Sequence, residues 1–264
     1  ILPTDKVSTD DIILYSSAAC VIDVDSGEIL YYKNMDDRHY PASITKILTA
    51  LIVLENCNLD DTVTFSTTAV NQVEADSGNK ISVVAGDQLS VEDCLYSMLL
   101  VSCNQAANAL AEHTAGSISA FVDMMNEKLA ELGLSDTAHF TNCVGLYNEN
   151  HYCSIYDMAV ILKAAMENEL CREVMSAHTY TTSPTEQHPE GIQISNWFLR
   201  RIEDKETNGE VVCAKTGYVV QSGNCAASYE VTNSGKHYIC VTANAHSGWR
   251  CIYDHVEIYK TYTE

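Results

Sequence analysis

Basic side chains are scarce in this sequence. Lys and Arg together number 15, against 36 Asp and Glu, and the formal net charge is −21. Proteins that bind nucleic acid neutralise its phosphates with clustered Lys and Arg, and this chain has too few of them to form such a surface. We therefore expect no nucleic-acid partner.

Long apolar runs are also missing. No stretch approaches the roughly 18 to 20 uninterrupted apolar residues that a membrane-spanning helix needs. The N-terminal stretch ILPTDKVSTDD lacks the charged and apolar regions of a secretion signal. We expect a soluble chain whose association with a membrane depends on segments absent from it. A mature product without its signal has the same features, so these absences leave the location open.

The cysteines show no paired or repeated spacing. There are 11 of them, spread from Cys20 to Cys251, and no two form a CxxC pair. A disulfide framework has an even number of cysteines and is typical of much smaller domains. We interpret these residues as buried free thiols in a reducing or anaerobic setting, with one or two disulfides as the alternative.

The sequence patterns predict strands near both ends of the chain. With 264 residues, of which 46% are hydrophobic, the chain can bury a large core in one domain or two intimate ones. Alternating apolar residues flank a turn signal at Asp25-Ser26-Gly27, so we expect a hairpin that begins a sheet near Ala18. Further strands are predicted in EVVCAKTGYV, GNCAASYEVT and KHYICVTANA, and a helix over residues 251–262.

Helical signals occupy the middle of the chain. Capping boxes at Ser90 with Asp93 and at Ser154 with Asp157 precede VEDCLYSMLL and IYDMAVILKAAMENEL, and residues 119–132 are amphipathic. Residues 176–191 are interpreted as a surface loop. The predicted fold class is α+β, with a single sheet built from the two chain termini.

Ser43 and Lys46 are the first candidates for catalysis. They lie three residues apart in YPASITKILTA, at the start of an apolar run with helical spacing. Residues three apart share one side of a helix, so the amine of Lys46 faces the hydroxyl of Ser43. A buried lysine that loses its proton can activate a serine, although an isolated SxxK is more often a capping serine beside a solvated lysine.

Two further motifs follow in order. VSCNQAAN places Ser102 and Asn104 in a break between two helical runs, and CAKTGYV places Lys215, Thr216 and Gly217 on a strand. The set SxxK, SxN and KTG is the signature of penicillin-recognising enzymes with an active-site serine. The flanking runs FTNCVGLYNENHYCSIYDMAVI and KTGYVVQSGNCAAS extend the likeness over about residues 18–259. The chain resembles the serine-type D-Ala-D-Ala carboxypeptidases, the low-molecular-mass penicillin-binding proteins of peptidase family S11.

The resemblance implies a β-lactamase/transpeptidase-like fold in one catalytic domain. A helical subdomain is expected over about residues 44–205, and a sheet subdomain from residues 1–43 and 206–264. The implied activity is removal of the terminal D-Ala from peptidoglycan stem peptides through an acyl-enzyme. The implied partners are stem peptides and β-lactam inhibitors, the implied location is outside the cytoplasmic membrane of a bacterium, and no cofactor or metal is needed.

The resemblance also assigns roles to residues. Ser43 is the expected nucleophile and Lys46 its general base, while Ser102 relays a proton to the leaving amine. The remaining expected roles are an amide clamp on the substrate and on Lys46 (Asn104), recognition of the substrate carboxylate (Lys215, Thr216), close approach of the strand (Gly217) and, with Ser43, oxyanion-hole N–H groups (Tyr218). Two alternatives stand for Arg250: it assists carboxylate binding, or it forms a structural salt bridge.

Three further residues, Gly145, His151 and Cys103, are compared with the family pattern. Gly145 and His151 belong to the family's GL…H segment and are taken as structural or substrate-shaping. Cys103 stands where small residues are usual in the family; its thiol either faces the cleft and reacts, or packs behind the loop. From the comparison with the family pattern we expect the C-terminal β-domain and amphipathic anchor of many members to be absent.

Three other functions remain open from the residues alone. A serine β-lactamase is suggested by ENELC at residues 167–171, although Cys171 replaces the expected Asn and the segment lies too far from Ser102. A penicillin-binding regulatory domain without turnover carries the same motifs. A metal-binding protein is suggested by His151 with Cys153 and by His246, Cys251 and His255, but these groups lack regular ligand spacing.

Overall fold

The structure, a computed structural model, describes residues 12–73 and 80–264. The strands are, in chain order, β1 (Ala18–Asp23), β2 (Ile29–Lys33), β3 (Thr62–Thr64), β4 (Gln88–Ser90), β5 (Thr179–Thr181), β6 (Gln193–Ser195), β7 (Gly209–Val219), β8 (Gly223–Thr232) and β9 (His237–Ala245). The helices are α1 (Thr45–Asn56), α2 (Thr67–Asn71), α3 (Val91–Leu100), α4 (Asn104–Ala115), α5 (Ile118–Glu131), α6 (Ile155–Glu167), α7 (Glu169–Met175), α8 (Leu199–Ile202) and α9 (Gly248–Tyr262).

One antiparallel sheet of five strands joins the two ends of the chain. Its order is β2-β1-β9-β8-β7, and the pairing of β1 with β9 places Ala18 opposite Ala243. The predicted α+β class, the hairpin start at Ala18 and the sheet built from the chain termini are confirmed. The division into subdomains at about residues 44 and 205 stays a prediction.

Both faces of the sheet are covered. Along β1, Cys20 and Ile22 point into the core shared with the large helices, while Ala19 and Val21 point into a second core beneath α9. This explains why β1 is an almost continuous apolar run, because a strand buried on both faces needs apolar residues at every position. The edge strand β7 carries the KTG motif.

Helix α1 lies in the middle of the helical region. Every residue from Thr45 to Leu54 is buried, including the polar Thr45, Lys46 and Thr49. A helix that is buried all round belongs to a core rather than to a surface. The element that carries Lys46 is therefore shielded from water on all sides.

Two predictions about local structure need correction. Within the predicted surface loop of residues 176–191, β5 forms and pairs with β6 in a two-stranded ribbon, and Tyr180 stacks on Tyr96 at 3.9 Å between ring centroids. The predicted helix IYDMAVILKAAMENEL is two helices, because the side chain of Asn168 accepts a hydrogen bond from Cys171 N and caps α7. Tertiary stacking and a side-chain cap override the local patterns here.

The cysteines are all free, and ten of them are buried. This confirms the interpretation as buried free thiols for all but Cys57, which is partly exposed. None of the helices in the described ranges is long and apolar enough to cross a membrane. The N-terminal stretch that was analysed for a signal, residues 1–11, lies outside the described residues.

Candidate active site

Ser43 lies in a tight turn directly before α1. Pro41 leads into a 3-10 turn at Ala42–Ile44, and α1 begins at Thr45. Ala42 has a positive φ of 48°, an uncommon conformation for a residue with a side chain. Such strain at a residue next to a candidate nucleophile is typical of functional sites.

Lys46 contacts Ser43 directly. The Nζ atom of Lys46 lies 2.8 Å from the Oγ atom of Ser43 and donates to the carbonyl oxygen of Val144 at 2.6 Å. Lys46 is fully buried, and burial lowers the pKa of its amine to about 7. A substantial fraction of Lys46 is therefore neutral near pH 7 and able to accept the proton of Ser43.

Ser102 and Asn104 lie between α3 and α4, as the break in helical pattern predicts. Ser102 has a positive φ of 61°, and α4 begins at Asn104. The Oγ atom of Ser102 accepts a hydrogen bond from Lys215 Nζ at 3.1 Å. The second motif is thus joined to the third through a lysine and a serine.

Lys215 comes from the edge strand β7. Its Nζ atom also donates to the carbonyl oxygen of Thr216 at 2.7 Å, and the side chain is buried. Burial, followed by repulsion from the Lys46 amine, holds the pKa of Lys215 well below its ordinary value. Two buried amines close to each other disfavour a doubly charged site, so an anionic ligand is the natural partner of this pair.

Gly217 lets β7 pass close to the nucleophile. A Cβ atom on Gly217 meets Ser43 N at 2.9 Å and Ala42 Cβ at 3.1 Å. From the sequence, we expected a glycine here because the strand approaches the backbone of the ligand. The structure shows a second reason: the strand also lies against the turn that holds Ser43. A larger residue here requires the strand and the turn to separate.

These elements surround one cavity of about 800 Å³. The candidate residues at its wall are Ser43, Ser102, Asn104, Thr216, Gly217 and Tyr218. Lys46 and Lys215 lie behind the wall, each bonded to a serine that lines it. The three motifs, which are more than 170 residues apart in sequence at their extremes, therefore meet in one place.

The structure does not bring Arg250 into this cavity. Arg250 lies in the first turn of α9, where its guanidinium carbon is 5.2 Å from the centroid of the Tyr15 ring. It is not among the residues that line the cavity. Asn104 lines the cavity, but the hydrogen bonds of the Lys46 amine go to Ser43 and Val144 instead.

Gly145 and His151 have distinct roles beside the cavity. Gly145 has a φ of 93°, and a Cβ atom there lies only 1.8 Å from the carbonyl oxygen of Ala42. His151 is buried, accepts a hydrogen bond from Thr141 N and donates to Thr45 Oγ1 at 2.8 Å. Burial lowers the pKa of His151 to about 3, so it is a neutral structural residue.

Cys103 packs behind the loop. It is fully buried, its Sγ atom lies 3.5 Å from Gln105 Oε1, and burial raises the pKa of its thiol. A buried, protonated thiol is a poor nucleophile. The packed alternative for Cys103 is thus the one that the structure supports.

The remaining sequence candidates lie in other surroundings. Glu167 of ENELC pairs with Lys163 at 2.7 Å on the exposed side of α6, away from the cavity wall. The imidazole of His255, weighed as a metal ligand, bonds to Ser228 Oγ and Thr242 Oγ1. Neither segment offers catalytic or metal-binding groups to the cavity.

Sequence reasoning missed several residues of the site. Asn142 accepts hydrogen bonds from Val144 N and Gly145 N through its Oδ1 atom, and it holds the loop whose carbonyl contacts Lys46. Trp197 and Asn224 also line the cavity. Asn142 lies inside the run FTNCVGL that carried the family likeness, whereas Trp197 follows a stretch with no motif.

The comparisons with known proteins agree with this geometry. The family model described as D-alanyl-D-alanine carboxypeptidase matches residues 5–247. The chain therefore belongs to the D-alanyl-D-alanine carboxypeptidase family of serine peptidases, and its fold is that of the penicillin-binding DD-peptidases.

Individual relatives show how far the similarity extends. The chain is 31% identical to the D-alanyl-D-alanine carboxypeptidase DacF of Bacillus subtilis over 226 residues, 84% of this chain and 55% of the relative. It is 33% identical to DacA of Haemophilus influenzae, covering 81% of this chain and 53% of the relative. The chain thus spans about half the length of these two curated relatives.

Solved structures superpose on this chain over nearly the full length of both chains. A Streptomyces DD-transpeptidase superposes with a TM-score of 0.83 at 26% identity, covering 94% of this chain and 97% of the other. A D-alanyl-D-alanine carboxypeptidase from Mycobacterium tuberculosis superposes with a TM-score of 0.82 at 25% identity, covering 98% and 95%. This chain is therefore comparable in length to those two solved chains.

Proposed function

We propose that this protein is a serine D-Ala-D-Ala carboxypeptidase that removes the terminal D-Ala from peptidoglycan stem peptides and is acylated by β-lactams. The observation that carries the proposal is the 2.8 Å contact between Lys46 Nζ and Ser43 Oγ, with a lysine pKa of about 7. A serine beside a neutral amine in a cavity is equipped for acyl transfer. Family membership supplies the substrate class.

The first half of the reaction follows from the contacts of Ser43. Lys46 takes the proton of Ser43 as the hydroxyl oxygen attacks the carbonyl carbon of the D-Ala-D-Ala bond. Negative charge develops on the carbonyl oxygen, and the backbone N–H groups of Ser43 and Tyr218 are the proposed donors that stabilise it. Gly217 permits the close spacing of these two segments, since no side chain separates them.

The second half needs a proton for the leaving D-Ala amine. Ser102 is the proposed relay that passes the proton held by Lys46 to this amine; the contact of its hydroxyl with Lys215 and its position in the cavity wall with Ser43 support this role. Lys215 and Thr216 are the proposed partners of the substrate's free carboxylate. The negative charge of the carboxylate offsets the repulsion between the buried amines of Lys46 and Lys215. Asn104 is the proposed partner of the substrate amide. Water then hydrolyses the ester, which releases the shortened peptide and restores Ser43.

Arg250 has no role in this proposal, because its guanidinium contacts Tyr15 outside the cavity. The family's cell-wall activity favours an extracytoplasmic location in a bacterium. Membrane attachment, nucleic acid and metals play no part in the proposed chemistry.

The test is the intact mass of the protein after incubation with benzylpenicillin, followed by an assay of D-Ala release from diacetyl-Lys-D-Ala-D-Ala. We expect a penicilloyl adduct and D-Ala release in the wild type, and neither in Ser43→Ala. Ser176→Ala changes a half-buried serine that follows α7 and does not line the cavity; it is the matched control and should behave like the wild type.

Other outcomes assign other functions. An adduct without D-Ala release indicates a regulatory domain or a transpeptidase, and addition of an amine acceptor separates these two. Consumption of penicillin without an adduct indicates a β-lactamase. If Ser43→Ala still forms the adduct, the assigned nucleophile is wrong.

A further inference from the structure

Cys57, Asp61 and His113 lie together at the opposite end of α1 from Ser43. Their ligand atoms, one thiol sulfur, one carboxylate oxygen and one imidazole nitrogen, all lie within 4.8 Å of one another. The Nε2 atom of His113 is 3.9 Å from Asp61 Oδ2. Thiolate, imidazole and carboxylate are the three protein ligands that zinc uses.

Cys57 differs from the other ten cysteines. Those ten are buried, whereas Cys57 is partly exposed. Burial raises the pKa of each of the ten thiols and so keeps them protonated. Cys57 is thus the one cysteine in the described chain that water, a metal ion or a reagent can reach in the folded state.

Two helix ends favour a cation at this position. Cys57 is the C-terminal cap of α1, and His113 lies in the last turn of α4, which ends at Ala115. The carboxyl end of each helix carries a partial negative charge of about half a unit, so the two dipoles add at the cluster. Asp61 contributes a full negative charge, and the whole chain has a formal charge of −21.

The loop between Cys57 and Asp61 is held in place by its neighbours. Asn58 N donates to Asp61 Oδ2 at 2.9 Å, which orients the carboxylate. Glu92 N donates to Leu59 O at 3.0 Å, and Val91 N donates to Asp61 O at 2.9 Å. The Sγ atom of Cys57 lies 3.3 Å from Thr114 Oγ1 on α4. Contacts that fix ligand side chains in this way raise the affinity of metal sites.

From these observations we propose that Cys57, Asp61 and His113 bind a zinc ion, with water as the fourth ligand. In a tetrahedral zinc site, ligand atoms lie about 3.3–3.7 Å apart. Because the observed separations are at most 4.8 Å, they need to close by about 1.5 Å at most, and the side chain of His113 lies at the surface. Binding releases the thiol proton of Cys57 to solvent, and the thiolate replaces a zinc-bound water.

The proposed ion ties together the two helices that carry catalytic motifs at their other ends. α1 starts beside Ser43, and α4 starts at Asn104. A helix of 12 residues such as α1 is about 18 Å long, so the ion lies far from the reacting atoms. Its expected role is structural, and this proposal stands whether or not the proposed carboxypeptidase activity is correct.

The test uses the full chain, purified with a chelator and then dialysed against buffer without it. Zinc is added in the native state, because 11 cysteines in an unfolded chain also bind zinc and obscure a thermal measurement. We expect one zinc ion per chain by calorimetry, and protection of Cys57 from iodoacetamide. Cobalt(II) should give d–d absorption in the visible range and a thiolate charge-transfer band in the near ultraviolet.

Three variants separate the proposed site from adventitious binding. Cys57→Ser and His113→Ala should each weaken zinc binding by more than about ten-fold, and Cys57→Ser should abolish the thiolate band. His237→Ala is the matched control, since His237 contacts Asp25 at 3.0 Å but belongs to no group of three candidate ligands among the described residues. It should leave zinc binding unchanged.

Circular dichroism checks that each variant is folded. Stoichiometric binding that survives in both Cys57→Ser and His113→Ala overturns the proposal, and so does the absence of stoichiometric binding by the wild type. Should a variant fail to fold, protection of wild-type Cys57 by zinc still decides the question.

Discussion

The amine of Lys46 shows how burial changes the chemistry of one side chain. The ordinary pKa of a lysine is 10.5, and in this site burial lowers it to about 7. Folding supplies this change by placing Lys46 on a helix that is surrounded on all sides. The same residue at the surface has no capacity to act as a base at neutral pH.

We predict that acylation of Ser43 by benzylpenicillin becomes faster as the pH rises through 7 and then levels off. The reason is that only the neutral form of Lys46 accepts the proton, and its fraction increases as pH passes the pKa of about 7. Lys46→Arg should lower the acylation rate constant by about 10²–10⁴, because a guanidinium stays protonated. The measurement is the second-order rate of adduct formation from pH 5 to 9; a rate that is flat across this range contradicts the assignment of Lys46 as base.

Gly145 occupies a position where a side chain would clash with neighbouring backbone atoms. A Cβ atom at this position would lie 1.8 Å from Ala42 O and 2.8 Å from Ser43 N, both of which are backbone atoms. Because these neighbours are backbone atoms and not the ends of flexible side chains, they cannot move aside easily to make room for a Cβ atom. The glycine therefore permits the loop of Val144 to contact the turn of Ser43.

We predict that Gly145→Ala destabilises the protein by more than about 2 kcal/mol and slows acylation by at least ten-fold, since the turn that holds Ser43 must move. Gly133→Ala is the control: its φ of 76° is equally unusual, but an added Cβ meets no atom within 4 Å. It should cost only about 1–2 kcal/mol of backbone strain and leave the acylation rate unchanged. Thermal unfolding and adduct kinetics measure both effects, and equal acylation rates in the two variants argue against this role of Gly145.

At the scale of elements, helix α6 begins with the best-defined cap. Ser154 accepts a hydrogen bond from Asp157 N at 3.0 Å, and Asp157 Oδ2 accepts one from Ser154 N at 2.8 Å. Asp157 also accepts from Thr137 Oγ1 at 2.8 Å, which links the helix start to a neighbouring loop. The cap was visible in the sequence, whereas the link to Thr137 was not.

Ser154→Ala is expected to destabilise the protein by about 1–2 kcal/mol, because a buried reciprocal cap is lost. Ser117→Ala removes the cap of α5, where one bond of 3.1 Å lies at an exposed position. Water replaces that bond more easily, so the expected loss is at the lower end, about 0.5 kcal/mol. Denaturant unfolding compares the two variants, and a larger loss in Ser117→Ala is the opposite of what the structure predicts.

Helix and strand boundaries were predictable where the signal is local. The strands β1, β7, β8 and β9, the helices α3 to α5 and the start of α6 follow from alternation, capping residues and turn signals in the chain, whereas the end of α6 does not. The ribbon of β5 and β6 did not follow, since Tyr180 is held by stacking on Tyr96 and by a hydrogen bond to Asp93, 87 residues away. Short strands that depend on distant partners leave little trace in the local pattern.

At the scale of the whole molecule, ten free thiols lie inside the fold. They fill core positions in both hydrophobic clusters, for example Cys20 and Cys153 in the larger cluster and Cys240 in the smaller one. A free cysteine packs like a small apolar residue and makes no demand for a hydrogen bond. Their protection depends on the fold as a whole.

We predict that iodoacetamide, with a chelator present, alkylates one cysteine per native chain and 11 in guanidinium chloride. The native site is Cys57, because burial keeps the other thiols inaccessible and protonated. Mass spectrometry counts the adducts, and native Cys57→Ser is expected to show none. Alkylation of Cys103 in the native protein would contradict its packed position.

The sequence by itself determined the fold class, the family and the three motifs. Each of these is encoded by neighbouring residues, such as the spacing of Ser43 and Lys46 or the run that contains Lys215 and Gly217. Tertiary structure alone decided which distant groups meet: the carbonyl of Val144 at Lys46, the hydroxyl of Ser102 at Lys215, and Cys57 beside His113. It also decided that Arg250 lies outside the cavity. The physical reason is that burial and contact depend on the packing of segments far apart in the chain, and the pKa of Lys46 depends in turn on that burial.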